Sequence, residues 1–162
     1  MKMERLRALF EKLGCAAVRS YVQSGNVVFE CGEASPNELS EKLEARVRED
    51  FGLSIPVFVK SAKELRSVIK RNPFVKLKGI DQSGLYVTFL SEKPPKIFTT
   101  KLELLATNSE QFQLSNRELY LYCPNGYGKT KLSNTAIEKK LSVVATTRNW
   151  RTVNSLLQMA HS

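Results

Sequence analysis

Lys129 and Lys131, in the stretch PNGYGKTKLSN, and Thr147, Arg148 and Asn149, in TTRNW, are the residues whose types and spacing point most directly to chemistry. Both groups suit an anion. PNGYGKTKLSN has the look of a phosphate loop, but GxxxxGKT would need glycine where Cys123 stands, and such a loop must join a strand directly to a helix starting at the Lys-Thr. What remains is a glycine-containing turn carrying two lysines. The second group is read as opening the last helix, where free N–H groups and the positive dipole end favour negative charge. Arg148 would supply a bidentate fork, and Lys129 or Lys131 a point charge. In the plainer reading Thr147 only caps the helix, Asn149 bonds to a nearby loop and Trp150 fills the core.

A second constellation is aromatic. LYVTFL (85–90) partly resembles an RNA-recognition strand, and ELYLYC (118–123) alternates Leu119 and Leu121 with Tyr120 and Tyr122. If the leucines face the helices, Tyr86, Tyr120 and Tyr122 face outward as a stacking platform for a single strand beside Lys129 and Lys131. Against it, the strict aromatic-glycine motif is missing, and Phe89 stands where that module prefers Asn or Gly. Gln23, Ser24, Gly25 and Asn26 are turn-forming types for which a structural role suffices. Glu138, Lys139 and Lys140 read as a solvated helix face, with Glu138 also able to orient Arg148.

Catalytic residues are not identifiable. The single histidine, His161, is the penultimate residue, which argues against a histidine triad, a histidine base or a histidine-rich metal site. Cys15, Cys31 and Cys123 are odd in number, widely spaced and in no CxxC pattern, so idle thiols are expected rather than a disulfide framework or a zinc knuckle. No paired carboxylates suggest acid/base work. Neither a metal nor a cofactor is implied.

The 162-residue chain carries a net charge of +9. Residues 1–55 hold 8 Lys/Arg against 9 Asp/Glu, a balance of −1, leaving +10 for residues 56–162. Such a field favours nucleic acid, phosphorylated small molecules or anionic surfaces. No apolar run approaches the roughly 18 residues that cross a bilayer, and the charged start lacks a signal peptide's apolar centre; the chain is therefore expected in the cytoplasm, without a membrane partner.

These residues must be held by a mixed α and β framework. MERLRALFEKLG has helical spacing and a closing Gly14, VRSYVQ and NVVFEC make a hairpin, and SPNELSEKLEARVREDFG is a helix with Ser35 and Glu38 as a capping box. IPVFVK (55–60) is expected as a strand. Ser61 and Glu64 start another helix, ended at Asn72-Pro73. There follow the strand GLYVTFLS, a short helix over 100–106, a hairpin turned at Asn116-Arg117, a helix over 133–141, and a last helix capped by Thr146 or Thr147 with Trp150, Val153, Leu157 and Ala160 as its stripe.

Written as elements, the chain reads as an α+β protein of two ferredoxin-like (split βαβ) halves, residues 1–60 and 84–162, joined by a connecting helix and linker over 61–83. The first half lacks its opening strand, which in that arrangement lies mid-sheet. Three solutions stand: a strand preceding Met1 in a longer parent, direct pairing of IPVFVK with the hairpin, or a second chain in the slot.

QSGNVVFE, NPF, KLSN followed by EKKL, and TTRNW together resemble the bacterial domain-of-unknown-function family 1697 along essentially the whole chain. The resemblance implies two ferredoxin-like halves and no established activity. The family pattern begins earlier, with a hydrophobic strand and a Leu-Arg-Gly-Ile-Asn-x-Gly-Gly loop that this chain lacks, which favours the longer parent.

The functional expectation is non-catalytic binding of an anionic ligand, nucleic acid or a phosphorylated metabolite. The alternatives are an enzyme on a phosphate-bearing substrate using Lys129, Arg148 and Glu138, or an interaction module forming a homodimer through an open sheet edge.

Overall fold

Two of the capping signals start helices where the sequence places them. Ser35 accepts from the Glu38 amide and Pro36 occupies the first turn of α2 (Pro36–Phe51), which ends at Gly52 with φ 69. Ser61 and Glu64 exchange side chain-to-amide hydrogen bonds of 3.1 Å each at the start of α3 (Ala62–Lys70). The computed structural model describes residues 2–22, 25–32 and 34–161; Gln23 and Ser24, expected in the hairpin turn, lie outside the described residues. Two compact units result, Met1–Arg66 with Asn154–Ser162, and Ser67–Val153.

In the first unit α1 (Met3–Lys12) buries Leu6, Leu9 and Phe10 against Leu39, Leu43 and Val47 of α2. Each such side chain contributes about 1.5–3 kcal/mol on leaving water. Gly14, at φ 83, turns the chain from α1 into β1 (Cys15–Tyr21), which pairs antiparallel with β2 (Asn26–Cys31). Among the described residues this sheet has two strands. Its register slips between Ala16 and Arg19, where Ala17 takes φ 52, the mark of a bulge.

Two expectations fail in this unit. Residues 55–60 are not a strand. Val57 and Val59 do pack on the core, but the Val57 amide donates to Glu44 Oε1 at 2.9 Å and its carbonyl accepts from Ser40 Oγ. Side chains of α2 thus occupy groups that a neighbouring strand would have used. Cys15 and Cys31 are not idle thiols either: they are joined as a disulfide. Only Cys123 is free, and it is fully buried.

The second unit is a four-stranded antiparallel sheet in the order β4-β5-β3-β6, formed by β3 (Leu85–Leu90), β4 (Gln111–Ser115), β5 (Glu118–Tyr122) and β6 (Ala145–Asn149). The short helix α4 (Thr100–Glu103), preceded by a 3-10 turn over Lys96–Thr99, lies between β3 and β4 in sequence; α5 (Asn134–Leu141) lies between β5 and β6. Leu119 and Leu121 of β5 join Leu102, Ile137 and Leu141 from these helices in one core.

The opposite face, with Leu85, Val87, Phe89 and Tyr120, is buried as well. Tyr120 donates its hydroxyl to the Val68 carbonyl at 2.6 Å, and Arg71 pairs with buried Glu118 at 2.9 Å, so the end of α3 reaches this face.

The last helix, α6 (Trp150–Ala160), begins later than expected. Thr146, Thr147, Arg148 and Asn149 lie on β6, a strand that the sequence reading did not separate from the helix. Alternate amides of this edge strand face the ladder with β3, and Asn149, not a threonine, caps α6 by accepting from the Thr152 amide at 2.8 Å.

Candidate functional site

Thr147 is the centre of the polar cluster on the helix-bearing face of this sheet. It stands directly opposite Thr88 across the β3–β6 ladder. Its hydroxyl donates its one proton to Asn134 Oδ1 at 3.0 Å, so the 2.8 Å contact with Thr88 Oγ1 has Thr88 as donor; Tyr127 OH adds a third bond at 3.3 Å. Asn134 Nδ2 in turn donates to the Ala145 carbonyl at 2.9 Å. The Thr147 hydroxyl is saturated, with one proton given and two lone pairs filled. It has nothing left for a ligand, and its role is to hold Tyr127.

Tyr127 brings the basic loop with it. Residues 127–129 form a 3-10 turn after Gly126, whose φ of 90 suits glycine, and Lys129 closes that turn. Lys129 and Lys131 are both exposed. The Tyr127 ring lies 5.0 Å from that of Tyr86, and burial pushes its phenol above the usual range. Thr130 accepts from the Leu132 amide at 3.0 Å, and Ser133 caps α5 through the Ala136 amide at 3.2 Å. KTKLSN is thus held on its leading side through Tyr127 and at its far end through Ser133 and Asn134, with its two lysines exposed.

The remaining candidates do not join these lysines. Arg148 pairs with Val87 and so points to the sheet face opposite Thr147, where its Nη1 donates to Thr146 Oγ1 at 2.7 Å and to the Thr147 carbonyl at 3.0 Å. Desolvation lowers its pKa from the usual arginine value. Asn149 serves as the helix cap. Glu138 accepts from the Ala145 amide at 2.9 Å, fastening α5 to β6 rather than orienting Arg148. Lys129, Arg148 and Glu138 therefore do not gather, and the enzyme reading built on them fails.

The tyrosine platform is not formed. Tyr86 is opposite Leu121, whereas Tyr120 is opposite Val87 and Tyr122 opposite Leu85, which puts Tyr86 on one sheet face and the other two on the reverse. Tyr120 is wholly buried, and desolvation pushes its phenol up to about 12. The leucines face the helices as expected, but the other side is covered too, so alternation alone could not put Tyr120 in water.

Sequence reasoning passed over Thr88, Tyr127 and Asn134. Asn134 was within reach: KLSN places it one residue after a capping serine, where a side chain can turn back to a nearby strand. Among the described residues no group of three or more His, Cys, Asp or Glu could hold a metal ion, and no helix is long and apolar enough to cross a membrane.

A conserved bacterial protein from Streptococcus pneumoniae has a similar fold, with a TM-score of 0.74 at 20% identity over 100% of this chain and 90% of that one. No curated protein matches the chain. The model of one family, described as proteins of unknown function (DUF1697), matches residues 1–120, and the chain belongs to that family.

Proposed function

We propose that this chain binds an anionic ligand, nucleic acid or a phosphorylated metabolite, without catalysing a reaction on it, and that Lys129 and Lys131 are the contacting groups. The observation that carries this reading is the Tyr127–Thr147 bond, which holds the lysine-bearing loop in one place on the sheet. A pinned loop loses less conformational freedom on binding than a free one. The surplus of +10 over residues 56–162 supplies the attracting field. We further infer that β3, α4, β4, β5, α5 and β6 are a split βαβ unit, because their sheet order and antiparallel pairing agree with that arrangement.

The test is a fluorescence titration with single-stranded RNA, duplex DNA and nucleoside phosphates at two ionic strengths. For a polynucleotide, Lys129→Ala with Lys131→Ala weakens binding and lowers the slope of log affinity against log salt by about 2, or about 1 for each phosphate no longer neutralised. Absence of salt-sensitive affinity for all three ligands removes the proposal.

A second reading rests on a separate observation. Among the described residues the two-strand β1–β2 sheet leaves an outer edge on each strand, which invites strand addition from another copy of the chain. Light scattering that gives a monomer at high concentration excludes it.

A further inference from the structure

The bridge between Cys15 and Cys31 lies at one end of the hairpin, and the bulge at Ala17 sets that end apart. Beyond the slip only the Cys15–Cys31 and Ala16–Glu30 rungs remain, while Arg19–Val28, Ser20–Val27 and Tyr21–Asn26 lie on the turn side. Two rungs of an isolated ribbon are marginal in water. Packing helps, since Cys15 is buried among Leu6, Leu9 and Leu43, but Cys31 is only half-buried. The covalent link thus adds to this packing in holding Cys31 at the end of the hairpin.

We propose that Cys15 and Cys31 form a reversible thiol–disulfide site, taking a dithiol reductant, that staples and releases this end of the hairpin. Exchange begins at the more accessible sulfur. A thiolate of the dithiol attacks Cys31 Sγ, the Cys15–Cys31 bond breaks, and Cys15 leaves as a thiolate that takes a proton from water. The second thiol of the reductant, as its thiolate, then attacks its own sulfur of the mixed disulfide, forming the cyclic disulfide and releasing Cys31 as a thiolate that is protonated in turn. Two electrons pass from the dithiol to the protein, whose disulfide becomes two thiols. Cys123 takes no part: it is wholly buried in the other unit, and desolvation pushes its thiol up to about 11.

The experiment equilibrates the full chain in buffers of graded reduced and oxidised dithiothreitol, quenches it with acid, and alkylates it unfolded for intact-mass analysis. The expected result is a transition from one alkylated cysteine under oxidising conditions to three under reducing ones, and from none to two in Cys123→Ser. In limited proteolysis the oxidised form is cut within residues 15–35 more slowly than the reduced form, by on the order of tenfold or more, as a link closing a 16-residue separation implies. Cys15→Ser with Cys31→Ser is cut like the reduced form under both conditions. Three alkylated cysteines at every potential, a linkage that includes Cys123, or equal cutting of both redox forms overturns the proposal.

Discussion

Thr88 and Thr147 face each other across β3 and β6 with their hydroxyl oxygens 2.8 Å apart, and Thr88 is wholly buried. A hydroxyl pair at that depth is stable only because Asn134 and Tyr127 complete its valences. The pair links the sheet, α5 and the lysine loop.

Thr147→Val keeps the shape of the side chain and removes its oxygen, leaving Thr88, Tyr127 and Asn134 each short of a partner. The expected loss is about 2–3 kcal/mol in urea unfolding, because the penalty comes from the stranded groups and not from the bond itself. Tyr127→Phe removes the longest of the three bonds and costs about 1 kcal/mol. Combined, the two changes cost less than their sum, since each removes part of what the other had left to lose.

Stability falls on the alkaline side as three desolvated groups ionise, Cys123, Tyr120 and Tyr127, whose phenol burial also raises. Desolvation pushes the Cys123 thiol from 9.0 to about 11, with the Glu110 charge adding to it, and the Tyr120 phenol from 10.0 to about 12. Both folded values lie above the unfolded ones, so each group's contribution is complete below its unfolded value and is lost as pH rises to the folded one. The windows are pH 9 to 11 for Cys123 and pH 10 to 12 for Tyr120, each on the order of 2–3 kcal/mol in all. Urea midpoints between pH 8 and 11.5 read the decline, and Cys123→Ala flattens its earlier part.

How far these features were legible depends on whether they are local. Capping boxes were read at Ser35 and Ser61, each within four residues of the helix it starts; that at Ser61 forms in full, and at Ser35 the serine half forms. The cysteine bridge was not local. Extending the Tyr21–Asn26 pairing without a slip sets Cys15 opposite Gly32; the bulge at Ala17 moves it onto Cys31. The strand status of 55–60 was equally hidden, because Val57 and Val59 alternate inward as in a strand while α2 takes Val57's backbone groups. Thr146–Asn149 looked like the start of a helix because threonine and asparagine are capping types, and pairing with β3, more than 50 residues earlier in the chain, decided otherwise.

Arg71 and Glu118 give unequal results when removed singly. Glu118 is almost fully buried while Arg71 is about two-fifths exposed, and they meet at 2.9 Å. Arg71→Ala strands a buried carboxylate and costs about 3–5 kcal/mol, whereas Glu118→Gln leaves an arginine that water can reach and costs less. The double change Arg71→Met with Glu118→Leu recovers most of the loss. Thermal unfolding of the four proteins side by side checks the order; equal losses from the two single variants contradict it.

Gly84→Ala tests whether the start of the lysine loop is fixed by close approach of backbone. A methyl at Gly84 would lie 3.0 Å from Tyr122 Cε1, 3.1 Å from the Cys123 carbonyl oxygen and 3.2 Å from Pro124 Cα. The Cys123 amide is also bound to the Gly84 carbonyl at 2.7 Å, so the two backbones cannot part without losing that bond. The tyrosine ring can turn away, but Cys123 and Pro124 cannot, which makes the expected cost about 1–3 kcal/mol. Tyr122→Leu in the same chain should restore only a part of it. Because residues 123–124 lead into the turn that carries Tyr127 and Lys129, Gly84→Ala also weakens salt-sensitive ligand binding at temperatures where the protein is still folded. Stability lost with unchanged binding would separate the Gly84 contact from the placement of Lys129 and Lys131.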